Sequence, residues 1–98
     1  MLDLTPQQLA LVRAIVAARL PQREVRAFGS RVTGCAKLHS DLDLVIMGDE
    51  PVADPVLAEL HADFDDSDLP FRVDVLNWSD APPSLRETIS HASIPIQT

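Results

Sequence analysis

Two aspartates two positions apart, Asp41 and Asp43, open the most β-prone segment of the chain. Successive side chains of a strand point to opposite faces, so these two carboxylates project from one face, with Cα atoms about 7 Å apart. Carboxylate oxygens at this spacing suit one hard divalent cation or a pair of them. An isolated Asp-x-Asp is more often an ordinary exposed strand end, so the pair needs support from elsewhere in the chain.

A third acid, Asp74, lies within the apolar run Arg72-Val73-Asp74-Val75-Leu76. A charge inside a β-rich strand is unexpected and needs a partner, because burying an unpaired charge is unfavourable. If this strand pairs beside the strand of Asp41 and Asp43, the three carboxylates form a cup for two Mg²⁺ ions. Such a pair of ions is what nucleotidyl transfer requires. We therefore predict Asp41, Asp43 and Asp74 as metal ligands and catalytic residues.

Gly29-Ser30 is the candidate anion site, because it follows a short β-prone run and precedes a helical segment. At such a junction backbone N–H groups and the helix dipole point outward, so a phosphate can bind there. By itself a Gly-Ser pair is a weak signal, since most such pairs are plain turns. Its fixed distance from the Asp-x-Asp pair makes the combination more specific than either part.

Alternating helix and strand patterns connect these residues. Thr5, Pro6 and Gln8 carry the signature of a helix start with a capping box. The predicted order is helix, strand, helix, strand, helix, strand, helix, with helices at 6–20, 31–38, 54–64 and 83–92 and strands at 25–28, 42–47 and 71–76. Pro95 is predicted to stop the last helix and leave an isolated tail. This alternation predicts one α/β or α+β domain, residues 1–98, with a short sheet.

Composition narrows the function further. The net charge of −7 disfavours direct binding of nucleic acid and suits divalent cations or a basic protein partner. The longest apolar run is far shorter than the roughly 20 residues that span a bilayer, so no membrane association is expected. The acidic amino terminus argues against export, which favours a cytoplasmic location. The single cysteine, Cys35, cannot form an internal disulfide and is expected to pack against the core.

Together, Gly29-Ser30, Asp41-Leu42-Asp43 and Asp74 on a later strand resemble the DNA polymerase beta nucleotidyltransferase superfamily, most closely its minimal branch. This resemblance covers nearly the whole chain. It implies the nucleotidyltransferase fold, a short mixed β-sheet flanked by helices, with ATP as substrate and magnesium as cofactor. It also implies a HEPN-type partner protein, since several members are antitoxins that transfer adenylate from ATP to a tyrosine of a HEPN RNase toxin.

The motif departs from the family at one position. The family often reads Gly-Ser-Arg-Ala-Arg-Gly, and Thr33 stands where the second arginine is expected. Lys37, one helical turn after Thr33, could supply the missing positive charge to the triphosphate. The resemblance thus predicts a nucleotide-binding set that comprises Gly29, Ser30, Arg31, Lys37 and Ser40.

Two other functions fit the same residues. The chain could neutralise a HEPN partner by docking alone, with a vestigial site, although the presence of all three acids weighs against this. It could instead transfer a nucleotide to a small molecule such as an aminoglycoside, but the chain has no extra domain to recognise such an acceptor.

Overall fold

Helices and strands alternate along the chain in a computed structural model that describes residues 2–98. The helices are α1 (Pro6–Arg19), α2 (Ser30–Thr33), α3 (Asp54–Asp65) and α4 (Pro83–His91). The strands are β1 (Val25–Phe28), β2 (Leu42–Ile46), β3 (Val73–Asn77) and β4 (Ile94–Gln97). The predicted capping box starts α1: the Thr5 hydroxyl accepts from the Gln8 N–H, and the Gln8 side chain accepts from the Thr5 N–H. Within residues 2–98, no helix combines the length and the apolar character that crossing a membrane requires.

The four strands form one mixed sheet in the order β3-β2-β1-β4. β1 is antiparallel to both β2 and β4, whereas β2 and β3 are parallel. A parallel pair needs a crossover connection, and α3 provides it. As a result, the carboxyl end of β1 and the amino ends of β2 and β3 lie at the same end of the sheet, the end that carries the predicted site.

The two faces of the sheet have different neighbours. One face packs on α1 and α3 around the main core, to which the alternate residues Leu42, Leu44 and Ile46 of β2 belong. The other face carries a smaller apolar cluster around Phe28, Val45 and Ile89 of α4. Because side chains alternate along β2, one row is buried in the core and Asp43 lies on the opposite face.

Expectations about two segments of the chain are wrong. The second helix covers only Ser30–Thr33, because Gly34 adopts a left-handed conformation (φ 85°) that caps it. The chain then continues as a loop, and Cys35 is exposed rather than packed against the core.

The second error concerns the segment after α4. Residues that were expected to form an isolated tail pair with β1 as the edge strand β4. Pro95 suggested a break because proline has no N–H to donate to a strand ladder. At the edge of a sheet this absence is tolerated, and the register of β4 shifts between Val25 and Arg26.

Candidate active site

Gly29 forms the turn between β1 and α2, and it lies against an aspartate. Its backbone angles (φ 82°, ψ −155°) belong to a region that only glycine adopts readily. A Cβ atom at this position would lie 2.5 Å from the Asp43 Oδ2 atom. Glycine is therefore required twice, for the shape of the turn and for the close approach of the Asp43 carboxylate. Ser30 follows as the first residue of α2, where the backbone N–H groups have no partner within the helix.

Asp43 and Asp74 are direct partners across the parallel strands β2 and β3. Adjacent strands lie about 4.8 Å apart, so the two carboxylates leave the same face side by side. Asp41 lies just before β2 and is exposed. The structure thus places Gly29, Ser30, Asp41, Asp43 and Asp74 at one end of the sheet.

The surroundings of Asp43 disfavour the charged form of its carboxyl group. Partial burial raises the pKa of its carboxyl, and the negative charges of Asp74 and then Asp41 raise it further. All three causes favour the neutral form of the acid. A bound cation would offset these effects, since it would supply the positive charge that this group of carboxylates lacks.

The side chain of Asp74 has one cationic neighbour. The Arg72 Nε atom lies 3.2 Å from Asp74 Oδ1, with the arginine largely exposed. In this arrangement, no group of three His, Cys, Asp or Glu side chains among residues 2–98 is positioned to hold a metal ion. The backbone register brings Asp43 and Asp74 together, while the carboxylate of Asp74 is turned toward Arg72. Sequence reasoning missed Arg72, although its position two residues before Asp74 on the same strand face was the available signal.

The other predicted nucleotide-binding side chains lie elsewhere. Arg31 is only 5% exposed, and its guanidinium donates to backbone carbonyls instead of facing the aspartates. Lys37 is exposed and lines a cavity of about 340 Å³ with Asp3, Thr5 and Gln8. The Ser40 hydroxyl accepts a hydrogen bond from the Lys37 N–H (2.8 Å). Ser40 thus shapes the turn that leads into Asp41.

Arg31 is the one of these three whose predicted role disagrees with its position. The sequence places it directly after Gly29-Ser30, where an exposed guanidinium could reach a phosphate. In the structure it points inward because three carbonyl oxygens and the ring of Phe71, 4.0 Å from its Cζ atom, surround it.

A family model and a curated relative both match this chain. Residues 21–97 match the family described as "Polymerase beta, Nucleotidyltransferase". The chain is 43% identical over 96 residues to the probable protein adenylyltransferase MntA of Haemophilus influenzae, an alignment that covers 98% of this chain and 84% of the relative.

Solved structures agree in fold. A chain of the crystal structure of a toxin–antitoxin pair with AMP-PNP superposes with a TM-score of 0.75 at 18% identity, over 91% of this chain and 72% of that chain. The tri-AMPylated Shewanella oneidensis HEPN toxin in complex with its MNT antitoxin gives a TM-score of 0.65 at 16% identity, over 91% and 71%.

The mixed sheet with flanking helices, with three aspartates and a glycine turn at one end, is thus a nucleotidyltransferase fold. With the family model and the curated relative in agreement, the chain belongs to the polymerase beta nucleotidyltransferase family.

Proposed function

We propose that this chain transfers AMP from ATP to a hydroxyl group of a HEPN-type toxin and so acts as the antitoxin of a toxin–antitoxin pair. The name of the Haemophilus influenzae relative supports the reaction. The similar fold of the antitoxin that is bound to an AMPylated HEPN toxin supports the partner, and the toxin–antitoxin structure with AMP-PNP supports ATP as the donor.

The observation that carries the proposal is the register of the parallel strands. Asp43 and Asp74 are paired residues on β2 and β3, and the turn at Gly29 lies against Asp43. Backbone pairing therefore brings the residues that we propose to bind metal and phosphate to one end of the sheet. Holding the reacting groups in one place accounts for much of the catalysis of such transfers.

Divalent magnesium fits these donors, because the site offers only carboxylate oxygens, the ligands that hard cations prefer. Asp41 and Asp43 would hold both ions, and Asp74 would complete the set after turning away from Arg72. The raised pKa of Asp43, caused by burial and by the charges of Asp74 and Asp41, also supports a cation here. When bound, magnesium supplies charge neutralisation and orientation of the triphosphate.

The residues of the chain divide the remaining work. Ser30 and the backbone after Gly29 bind the terminal phosphates, as N–H groups at a helix start do. The acceptor hydroxyl oxygen attacks the α-phosphorus of ATP, and a new P–O bond forms. The bond from the α-phosphorus to the bridging oxygen breaks, so that pyrophosphate leaves. Asp74 takes the proton that the hydroxyl loses.

Intact-mass spectrometry of the partner tests the proposal. The chain, ATP and Mg²⁺ are incubated with a purified HEPN-type candidate partner, and the partner is then weighed. We expect an increase by one or more adenylate groups with the native chain. No increase is expected with Asp74→Ala, whose transfer rate should fall at least about 100-fold. Changing a residue that only orients a metal ligand typically costs up to about 100-fold, and Asp74 is proposed to be a ligand itself.

Asp49→Asn is the matched control, because Asp49 is an exposed acid in the loop after β2. It should modify the partner at the native rate. An unchanged partner mass in a tight complex would contradict the transferase and favour neutralisation by docking alone. Full activity of Asp74→Ala would remove Asp74 from the reaction.

A further inference from the structure

Arg31 is a buried cation with no acid beside it. Its side chain donates from Nε to the Ser40 carbonyl (2.9 Å), from Nη1 to the Asp3 carbonyl (2.9 Å) and from Nη2 to the Leu38 carbonyl (3.2 Å). Among residues 2–98, no carboxylate oxygen lies within 4.0 Å of this guanidinium. Burying a charge is unfavourable, so the three carbonyls and the Phe71 ring must compensate for lost hydration.

Two of the three carbonyls belong to the loop that leads from α2 into β2. Arg31 donates hydrogen bonds to the carbonyls of Leu38 and Ser40, and the Ser40 carbonyl is part of the peptide bond to Asp41. The same loop is exposed from Thr33 to Cys35 and again from Lys37 to His39. Without the hydrogen bonds from Arg31, this loop would be only weakly held in place, because few buried contacts fix it.

Arg31 also belongs to the turn on the other side of the site. It is the second residue of α2, which begins at the Gly29 turn against Asp43. One side chain therefore connects the proposed phosphate-binding turn with the backbone of Asp41.

We propose that Arg31 is a positioning residue that fixes Asp41 for divalent cation binding and does not contact the nucleotide. This inference rests on the proposed function, because it assigns Arg31 a role toward the same carboxylates. Arginine suits the role because its planar group offers several donors in fixed directions. A lysine ammonium is a single point on a flexible stem and cannot hold three carbonyls in the same geometry.

Metal binding in the absence of nucleotide separates this role from phosphate binding. The test titrates Mn²⁺ into the nucleotide-free chain by calorimetry, with Asp43→Asn as the variant that identifies the site. Arg31→Lys keeps the positive charge and loses the planar guanidinium group with its several fixed N–H donors. We expect its Mn²⁺ affinity to fall about 10-fold or more, the range found when groups that orient metal ligands are changed.

Arg86→Lys is the matched control. Arg86 also donates to two carbonyls, those of Trp78 and Ser79, and also lies over an aromatic ring, that of Trp78 at 5.2 Å. It lies in α4, outside the loop that leads into Asp41. This variant should lose stability to a similar degree and bind Mn²⁺ like the native chain.

Phe71→Leu provides a second variant in case Arg31→Lys does not fold. It keeps the arginine and removes only the ring beneath it, so a smaller loss of Mn²⁺ affinity in the same direction is expected. Native Mn²⁺ affinity in a folded Arg31→Lys or Phe71→Leu chain overturns the inference and leaves the proposed function intact. A native chain that binds no Mn²⁺ at all overturns the metal site and this inference with it.

Discussion

Asp43 shows how the site opposes the stability of the fold. Its carboxyl is partly buried, lies beside Asp74 and Asp41, and has a pKa raised by all three influences. A group whose pKa is higher in the folded than in the unfolded chain destabilises the fold at a pH above both values. This loss of stability disappears as the pH falls through the folded pKa toward 3.8, the ordinary value for aspartate.

The variant Asp43→Asn should therefore be more stable than the native chain at pH 7 and inactive in AMP transfer. The gain in melting temperature should shrink as the pH is lowered, because the native carboxyl is then increasingly protonated. Thermal unfolding at several pH values measures this. Asp49→Asn removes the same charge from an exposed loop and should give no comparable pH-dependent gain.

A pair of glycine variants tests the close approach of the Asp43 carboxylate to Gly29. Gly29 and Gly34 both have a positive φ (82° and 85°), but their ψ angles differ (−155° and 11°), and a Cβ at Gly34 would meet nothing within 4 Å. Gly34→Ala should cost about 1–2 kcal/mol, the usual penalty for a left-handed residue, and retain activity.

Gly29→Ala should be less stable than Gly34→Ala and should lose AMP transfer, because its Cβ would displace Asp43. Chemical denaturation and the transfer rate of the folded fraction provide the two measurements. Equal activity of the two alanine variants would contradict the importance of the contact with Asp43.

Sequence motifs located the acids and the glycine turn better than they located side chains of the loops. Asp41, Asp43 and Gly29 lie in short segments whose backbone geometry follows from the strand and turn pattern. The direction of Arg31 depends on Phe71, forty residues away, and on carbonyls of a loop whose path the sequence did not predict. The spacing of residues along the chain does not contain this information, which is why Arg31 was predicted to bind the nucleotide.

The register between β2 and β3 decides whether the acids meet. Asn77, at the end of β3, is only 3% exposed and binds the backbone of the loop after β2. It accepts from the Val52 N–H (3.0 Å) and donates to the Val52 carbonyl (3.1 Å). This pair of hydrogen bonds ties the two ends of the α3 crossover together.

Asn77→Ala should destabilise the fold by about 1–3 kcal/mol, because it removes two hydrogen bonds and leaves the partly buried N–H and carbonyl of Val52 without partners. Urea denaturation measures the loss. Thr88→Ala, which removes an exposed hydroxyl of α4 that bonds its own helix, should change stability little. A near-native Asn77→Ala chain would show that the crossover holds without this clamp.

The element pattern was largely predictable, since capping residues and apolar periodicity identified α1, α3, α4 and the first three strands. Strand β4 was missed because Pro95 usually ends regular structure, and only its position at the sheet edge makes it compatible with a strand. The strand order was also beyond the sequence, because it depends on how α1 and α3 pack on one face.

Acidic residues outnumber basic residues in the molecule as a whole. Eight basic and fifteen acidic residues give the net charge of −7. All seven arginines make hydrogen bonds or ion pairs with acceptors of the same chain: Arg13, Arg19, Arg23, Arg26, Arg31, Arg72 and Arg86. The acidic groups therefore dominate what a partner meets, which favours a partner with a basic docking surface.

The rate of association with the proposed HEPN-type partner should fall as salt rises. Between roughly 0.05 M and 0.5 M NaCl we expect about a 10-fold decrease, since added ions screen attraction between opposite charges. Stopped-flow measurements of complex formation test this. A rate that is independent of salt would indicate an uncharged docking surface.

The proposed site can be located by anomalous diffraction from crystals grown with Mn²⁺ and a non-hydrolysable ATP analogue. We expect Mn²⁺ within roughly 2.0–2.3 Å of carboxylate oxygens from Asp41, Asp43 and Asp74, with Asp74 turned away from Arg72. Phosphate oxygens should lie at the Gly29–Ser30 turn. Manganese at another place, or Asp74 still paired with Arg72 while the analogue is bound, would contradict the proposed site.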